Sequence, residues 1–272
     1  MKISALALCI SALAYASTSL AHVGLANNTL PISAAGQAAF AVANTSSEIV
    51  FIVGHGCNAE AEPKPPANLD TTKIDITVPA AIVTATGAAS VRPSHQGEFG
   101  NVTRKVNEDG SIRFTWTKVA APTADDDQLY KVSIRLKTPA AASASDYAIK
   151  KYQFLATQTC AVPGAGDYVL NWGVDSPSLL VFPEKRKGFN KFTLDATTLG
   201  DFAVTGTNTK AAKLKSYFGD AAIVWVGKRA YSANAITSEK IDQLAKKDLT
   251  YSNLATETGV SLSADETIWV RY

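Results

Sequence analysis

The residue with the most chemistry in it is His22. Met1 to Ala21 carries Lys2, then an apolar stretch, then Ser19-Leu20-Ala21. A basic start, a short apolar segment and small residues flanking Leu20 read as a secretory signal cut after Ala21. The cut leaves His22 as the first residue of the mature chain, its α-amine next to its own imidazole. The amine and Nδ1 can close a chelate ring on one metal ion. Such a nitrogen pair suits Cu(II), which favours N and O donors in tetragonal geometry. The plain alternative is a cut that merely happens to fall before a histidine.

Two further histidines are present. His55 sits in Gly54-His55-Gly56-Cys57, where it is either a third nitrogen ligand or a turn residue satisfied by the backbone. His95 lies in the polar stretch Ser94-His95-Gln96-Gly97-Glu98 and reads as solvent-exposed. Of three cysteines, Cys9 leaves with the signal, so Cys57 and Cys160 remain. In an oxidising compartment they most simply form one disulfide. It would close a loop of about 100 residues, worth on the order of 4–5 kcal/mol in the chain-entropy model. The competing reading has both thiolates on a metal. Asp125-Asp126-Asp127 reads as an acidic turn before it reads as a hard-cation site. A phosphate-binding glycine loop, a Cys-x-x-Cys pair and a nucleophile elbow are all missing from the sequence. The chain reads as a binding protein and not as an enzyme.

Composition sets the frame for these residues. Lys and Arg number 26 against 24 Asp and Glu, a net charge of +2, which gives no electrostatic case for nucleic acid. No apolar run beyond the signal approaches the roughly 20 residues of a membrane helix. The mature chain is therefore expected to be soluble and exported, periplasmic or secreted. Residues 38–53, Lys73 to Val78, Ile112 to Trp116, Tyr130 to Leu136, Tyr152 to Thr157 and Tyr168 to Trp172 carry strand-like runs. Proline, glycine and aspartate clusters at Glu62–Pro66, Pro122–Asp127 and Pro163–Asp167 separate them. Many short alternating strands with turn-rich connections predict a β-sandwich over residues 22–183. The basic stretch Pro183 to Gly188 reads as a linker. Beyond it residues 184–272 form a small α+β module. Ala221 to Val226 is a buried strand there, Ser238 to Lys247 a helix capped by Ser238, and Ile268 to Tyr272 a last strand.

His22-Val23-Gly24-Leu25, His55-Gly56-Cys57, Gln158-Thr159-Cys160 and then Trp172 stand in an order of their own. Together they resemble the YcnI-like family of exported copper-binding domains. Its members begin, after the signal, with His-Val-x-Leu and carry His-Gly-Cys, then Gln-x-Cys and a tryptophan. Ile76-Thr77-Val78-Pro79 and Ile112 to Trp116 look like further strands of that family. The resemblance implies a mainly β, immunoglobulin-like sandwich that holds Cu(II) through an N-terminal histidine brace. It implies His22 as amine and imidazole donor, Trp172 near the metal, and Cys57 and Cys160 pinning their strands together. A carboxylate completes the family's site, and here Glu48 and Glu98 are candidates by placement. Two departures stand out. The family's Pro-Gly-Trp segment is replaced by residues 94–99, and residues 184–272 have no counterpart.

The function that follows is sequestration, homeostasis or delivery of copper outside the cytoplasm. Delivery implies a membrane copper transporter or another periplasmic copper protein as partner. The alternatives are a metal-free adhesion or structural module, and a copper oxidase or monooxygenase using the same brace. All copper readings share one requirement: the intact mass of the exported protein must correspond to residues 22–272. A mass that leaves His22 internal removes the chelating pair.

Overall fold

Alternating apolar and polar residues become strands that bury one face. The structure, a computed structural model, describes residues 23–25, 30–31, 37–57, 69–94, 97–120, 129–143, 145–173, 176–183, 185–194, 218, 221–255 and 266–272. The signal segment, His22, His95 and the turns at 62–66 and 122–127 lie outside the described residues. In chain order come β1 (Val23–Leu25), β2 (Leu30–Pro31), β3 (Gln37–Val42), β4 (Ser46–Val53) and β5 (Thr71–Val78). Helix α1 (Ala80–Thr86) follows, then β6 (Arg92–Pro93), β7 (Asn101–Val106), β8 (Ile112–Thr117) and β9 (Tyr130–Lys137). Next are β10 (Ala148–Gln153), β11 (Leu155–Val162), β12 (Gly166–Asn171) and β13 (Ser178–Phe182). The C-terminal part holds β14 (Phe189–Leu194), β15 (Ile223–Val226), β16 (Arg229–Tyr231), α2 (Ala235–Lys247), β17 (Ser252–Asn253) and β18 (Ile268–Arg271).

Two antiparallel sheets face each other, one ordered β12-β11-β5-β8-β7 and the other β1-β4-β9-β6. Strand β5 turns Ile74, Ile76 and Val78 inward, each opposite an inward residue of β8: Trp116, Phe114 and Ile112. From the other sheet come Ile49, Phe51 and Val53 of β4 with Val132, Ile134 and Leu136 of β9. Full burial of each such side chain contributes about 1.5–3 kcal/mol. The product is an immunoglobulin-like β-sandwich with a small C-terminal α+β portion.

A third sheet, β17-β16-β15-β18-β14-β10-β13-β3-β2, runs across the boundary expected at Pro183. Strand β10 pairs in parallel with β14, Ile149 opposite Leu194, so the basic stretch interrupts the chain and not the sheet. All five residues of β13 are buried. Leu179 and Val181 enter the sandwich core, whereas Leu180 and Phe182 enter a second core with Phe192, Phe218, Val224, Ile268 and Val270. A continuous apolar run is what a strand covered on both faces requires.

Three local expectations change. The single strand expected over 152–157 is split at Phe154, which is fully buried and packs edge-on to Phe51 at 5.3 Å. There the chain passes from the nine-stranded sheet to the five-stranded one. Helix α2 starts three residues before Ser238, capped by Asn234, whose side chain accepts from the Thr237 amide. Ser238 instead bonds Asn253, whose Nδ2 also donates to Asp242 and so ties the helix to β17. Helix α1 has no counterpart among the elements expected from the sequence. It follows Pro79 directly and ends at Gly87, whose φ of 81° a side chain rarely adopts.

Removing everything after Pro183 would strip the cover from Leu180 and Phe182. The truncated chain is expected to lose at least the roughly 3–6 kcal/mol that burial of these two contributes. Urea unfolding of full and truncated chains measures it; equal midpoints would make the C-terminal part a separate module.

Candidate metal centre at one end of the sandwich

Strand pairing decides which sequence candidates meet. Val23 lies opposite Val53, and Val53 lies opposite Tyr130 on its other side. The chain leaves β4 through Gly54, His55 and Gly56 to Cys57, so the start of β1 is at the His55 end of the sheet. Its side chains are tightly held, with Val23 and Leu25 both in the core. His22 immediately precedes this strand and lies outside the described residues. Glu48 is five residues from Val53 along β4, roughly 17 Å at about 3.3 Å per residue. It belongs to a different network: Ser133 donates to its Oε1 at 2.5 Å, and the Ser133 hydroxyl also lies 2.7 Å from that of Ser94.

His55 is fixed by its neighbours. Its Nδ1 is 2.7 Å from the Gly56 carbonyl oxygen. A carbonyl only accepts, so Nδ1 carries a proton, and in the neutral ring the lone pair is on Nε2. Metal-binding histidines are commonly oriented in this way by a backbone carbonyl. The His55 carbonyl accepts from Gln158 Nε2 at 3.0 Å, and the same nitrogen donates to Thr71 Oγ1 at 2.9 Å. Gln158 is fully buried, and its Oε1 has no hydrogen-bond partner among the described residues. That leaves a buried acceptor within the shell around His55.

Cys57 and Cys160 are joined in a disulfide, their Cα atoms 6.1 Å apart. With both sulfurs in that bond, neither is a thiolate ligand here. The disulfide sits in a small apolar cluster with Leu69 and Leu170. Trp172 is half-buried and packs against both this cluster and the main sandwich core, while its backbone amide donates to the Ala156 carbonyl at 3.1 Å. It acts as a wedge between the two.

Glu98 is half-exposed and stands 3.5 Å from Lys118 Nζ. Lys118 in turn bonds Asp70 and Tyr130. Because Tyr130 pairs with Val53, this group shares the His55 end of the sandwich, which Glu48 does not. Asp70, Lys118 and Tyr130 belong to no motif in the sequence. A signal was present, since Lys118 occupies the next inward position after Ile112, Phe114 and Trp116. Among the described residues no three His, Cys, Asp or Glu side chains gather as a metal site.

No protein-family profile and no curated protein matches the chain. Solved structures that it resembles include cohesins. One is the seventh ScaB type I cohesin of Pseudobacteroides cellulosolvens, at 11% identity and a TM-score of 0.30, covering 60% of this chain and 93% of that one. Another is a non-cellulosomal cohesin from Archaeoglobus fulgidus, at 8% identity and a TM-score of 0.26, covering 60% and 90%. A likeness of this size assigns neither fold nor activity; the sandwich rests on the sheets and their shared core.

The disulfide closes a separation of 103 residues. Its reduction, or the double change Cys57→Ala with Cys160→Ala, is expected to cost on the order of 4–5 kcal/mol. Denaturant unfolding with and without reductant measures this, and a loss under about 1 kcal/mol would contradict a role in holding His55 in place.

Proposed function

We propose that the exported chain binds Cu(II) as cargo, through the α-amine and imidazole of His22 and the Nε2 of His55. It would sequester the ion or pass it to a membrane transporter or another copper protein outside the cytoplasm. The observation that carries this reading is the pairing of Val23 with Val53. It ties the residue after His22 to a strand whose next turn holds His55. Both imidazoles would then be offered from one end of one sheet.

The donor set suits the ion. Cu(II) favours nitrogen donors in tetragonal geometry, and three nitrogens leave a position for water, a carboxylate or a partner's ligand. The bond from His55 Nδ1 to the Gly56 carbonyl supports Nε2 as the donor atom. Gln158 holds the peptide that follows His55 and the disulfide holds Cys57 two residues on, so little backbone freedom is lost there on binding. Trp172, packed on the disulfide cluster, would shield one side of the site. Neither Glu48 nor Glu98 is needed for these three nitrogens. The reading is of a carrier and not of a catalyst.

Affinity should follow the protonation of the donors. A terminal amine has a pKa of about 7.7–8.0. Just below that range one amine proton must be displaced, so Kd should fall about tenfold per pH unit and level off in this respect above about pH 8. One extra residue before His22 should abolish tight binding by taking the amine out of the chelate. His55→Ala should lower by one the nitrogens counted in the electron paramagnetic resonance spectrum. Unchanged affinity in the extended chain would defeat the mechanism.

A further inference from the structure

The inward face of β8 ends in a charge. After Ile112, Phe114 and Trp116, all fully buried, the alternation brings Lys118 into the same interior. Its side chain is 4% exposed, and the carboxylate that it meets, Asp70, is not exposed at all. Nζ lies 2.8 Å from one oxygen of Asp70 and 3.0 Å from the other. The Tyr130 hydroxyl is 3.1 Å from the same nitrogen and 3.4 Å from Asp70 Oδ1. Glu98 completes the group at 3.5 Å, with 48% of its side chain exposed.

The backbone holds all three charged residues in place. The Lys118 amide donates to the Thr72 carbonyl at 2.8 Å, and the Val119 amide donates to the Glu98 carbonyl at 2.8 Å. The Asp70 carbonyl accepts from the Ala161 amide at 3.0 Å. Tyr130 is packed edge-on against Phe99 with ring centroids 5.0 Å apart, and Lys118 Nζ lies 5.2 Å from the Tyr130 centroid. An amine and a carboxyl group are thus fixed in contact in a nearly dry pocket. Such confinement replaces a collision with a near-attack arrangement.

We propose that Lys118 and Asp70 are joined by an intramolecular amide bond, formed by the folded protein itself. The amide forms from the neutral pair, reached when the ammonium hands one proton to the carboxylate that it touches. The Nζ lone pair then attacks Cγ of Asp70, and the carbonyl oxygen of the tetrahedral adduct takes the negative charge beside the Tyr130 hydroxyl. Glu98 removes a proton from the nitrogen and delivers it to the departing hydroxyl. The C–O bond breaks, one water leaves, and the Nζ–Cγ amide remains. Nothing is oxidised or reduced, and no co-reactant is needed. The product has no charge left to bury, and the half-exposed Glu98 gives the released water a way out.

Intact mass of the full exported chain, denatured and with its disulfide reduced, tests the bond. The expected mass is lower than that of the sequence by one water. Trypsin should leave Lys118 uncut, in a branched peptide that joins residues 114–131 to the peptide ending at Lys73. Asp70→Asn should reach the same final mass by losing ammonia in place of water. Lys118→Arg, with folding checked by circular dichroism, should keep the full mass of its sequence. Glu98→Gln, at a half-exposed position, should fold and retain most of its water. A wild-type chain at full sequence mass overturns the proposal, as does a water loss that persists in Lys118→Arg. If Glu98→Gln is cross-linked as completely as wild type, the role given to Glu98 is overturned and the bond stands.

Discussion

Everything in this molecule leans on β13. Sandwich strands commonly cover one face with core and leave the other to solvent, but this one is buried on both. Leu179 and Val181 complete the first core, and Leu180 and Phe182 begin the second. The strand is also paired along both edges, in parallel with β3 and antiparallel to β10. A five-residue segment therefore serves two hydrophobic interiors and links the sandwich to the C-terminal strands. Disturbing it is not local, because no solvent face is available to absorb the change. The same constraint explains why the basic stretch at Pro183 coexists with an unbroken sheet.

The fold was legible wherever a strand has one wet face. Lys73 to Val78, Ile112 to Trp116 and Tyr130 to Leu136 alternate in sequence, and each is a strand with the expected face buried. The features that escaped have other physical causes. Ser178 to Phe182 has no period-two signal because both faces are dry. Phe154 interrupts a strand-like run because one residue is used to cross between sheets. At α2 the capping side chain is that of Asn234, and Ser238 serves a contact with Asn253 that no local pattern specifies.

The candidate site was legible as residue types and not as a gathering. The disulfide followed from two cysteines in an expected oxidising compartment, and the structure contains it. The distance of Glu48 from the His55 end follows from the extended β4 alone, but that the start of β1 lies at this end depends on its pairing with β4, which residue types do not encode. The reach of Gln158 to the His55 carbonyl spans 103 positions of chain, beyond any motif. Lys118 is the opposite case. Its place on an inward face could be counted along β8, but a lysine there is discounted until its partner Asp70, 48 positions earlier, is seen beside it.

The parallel pairing of β3 with β13 has a consequence for how the protein is made. Ala38 lies beside Ser178, and Phe40 beside Leu180, so the third strand waits for the thirteenth, about 140 residues later. Loop closure over such separations is paid before any contact rewards it, which slows folding of non-local sheets. Strand β3 meanwhile presents an unpaired edge, and exposed edges invite pairing with other chains. The interval between synthesis of the first strands and arrival of β13 is therefore the period of greatest vulnerability to aggregation. A topology that is secure once complete is, by the same pairing, exposed while incomplete.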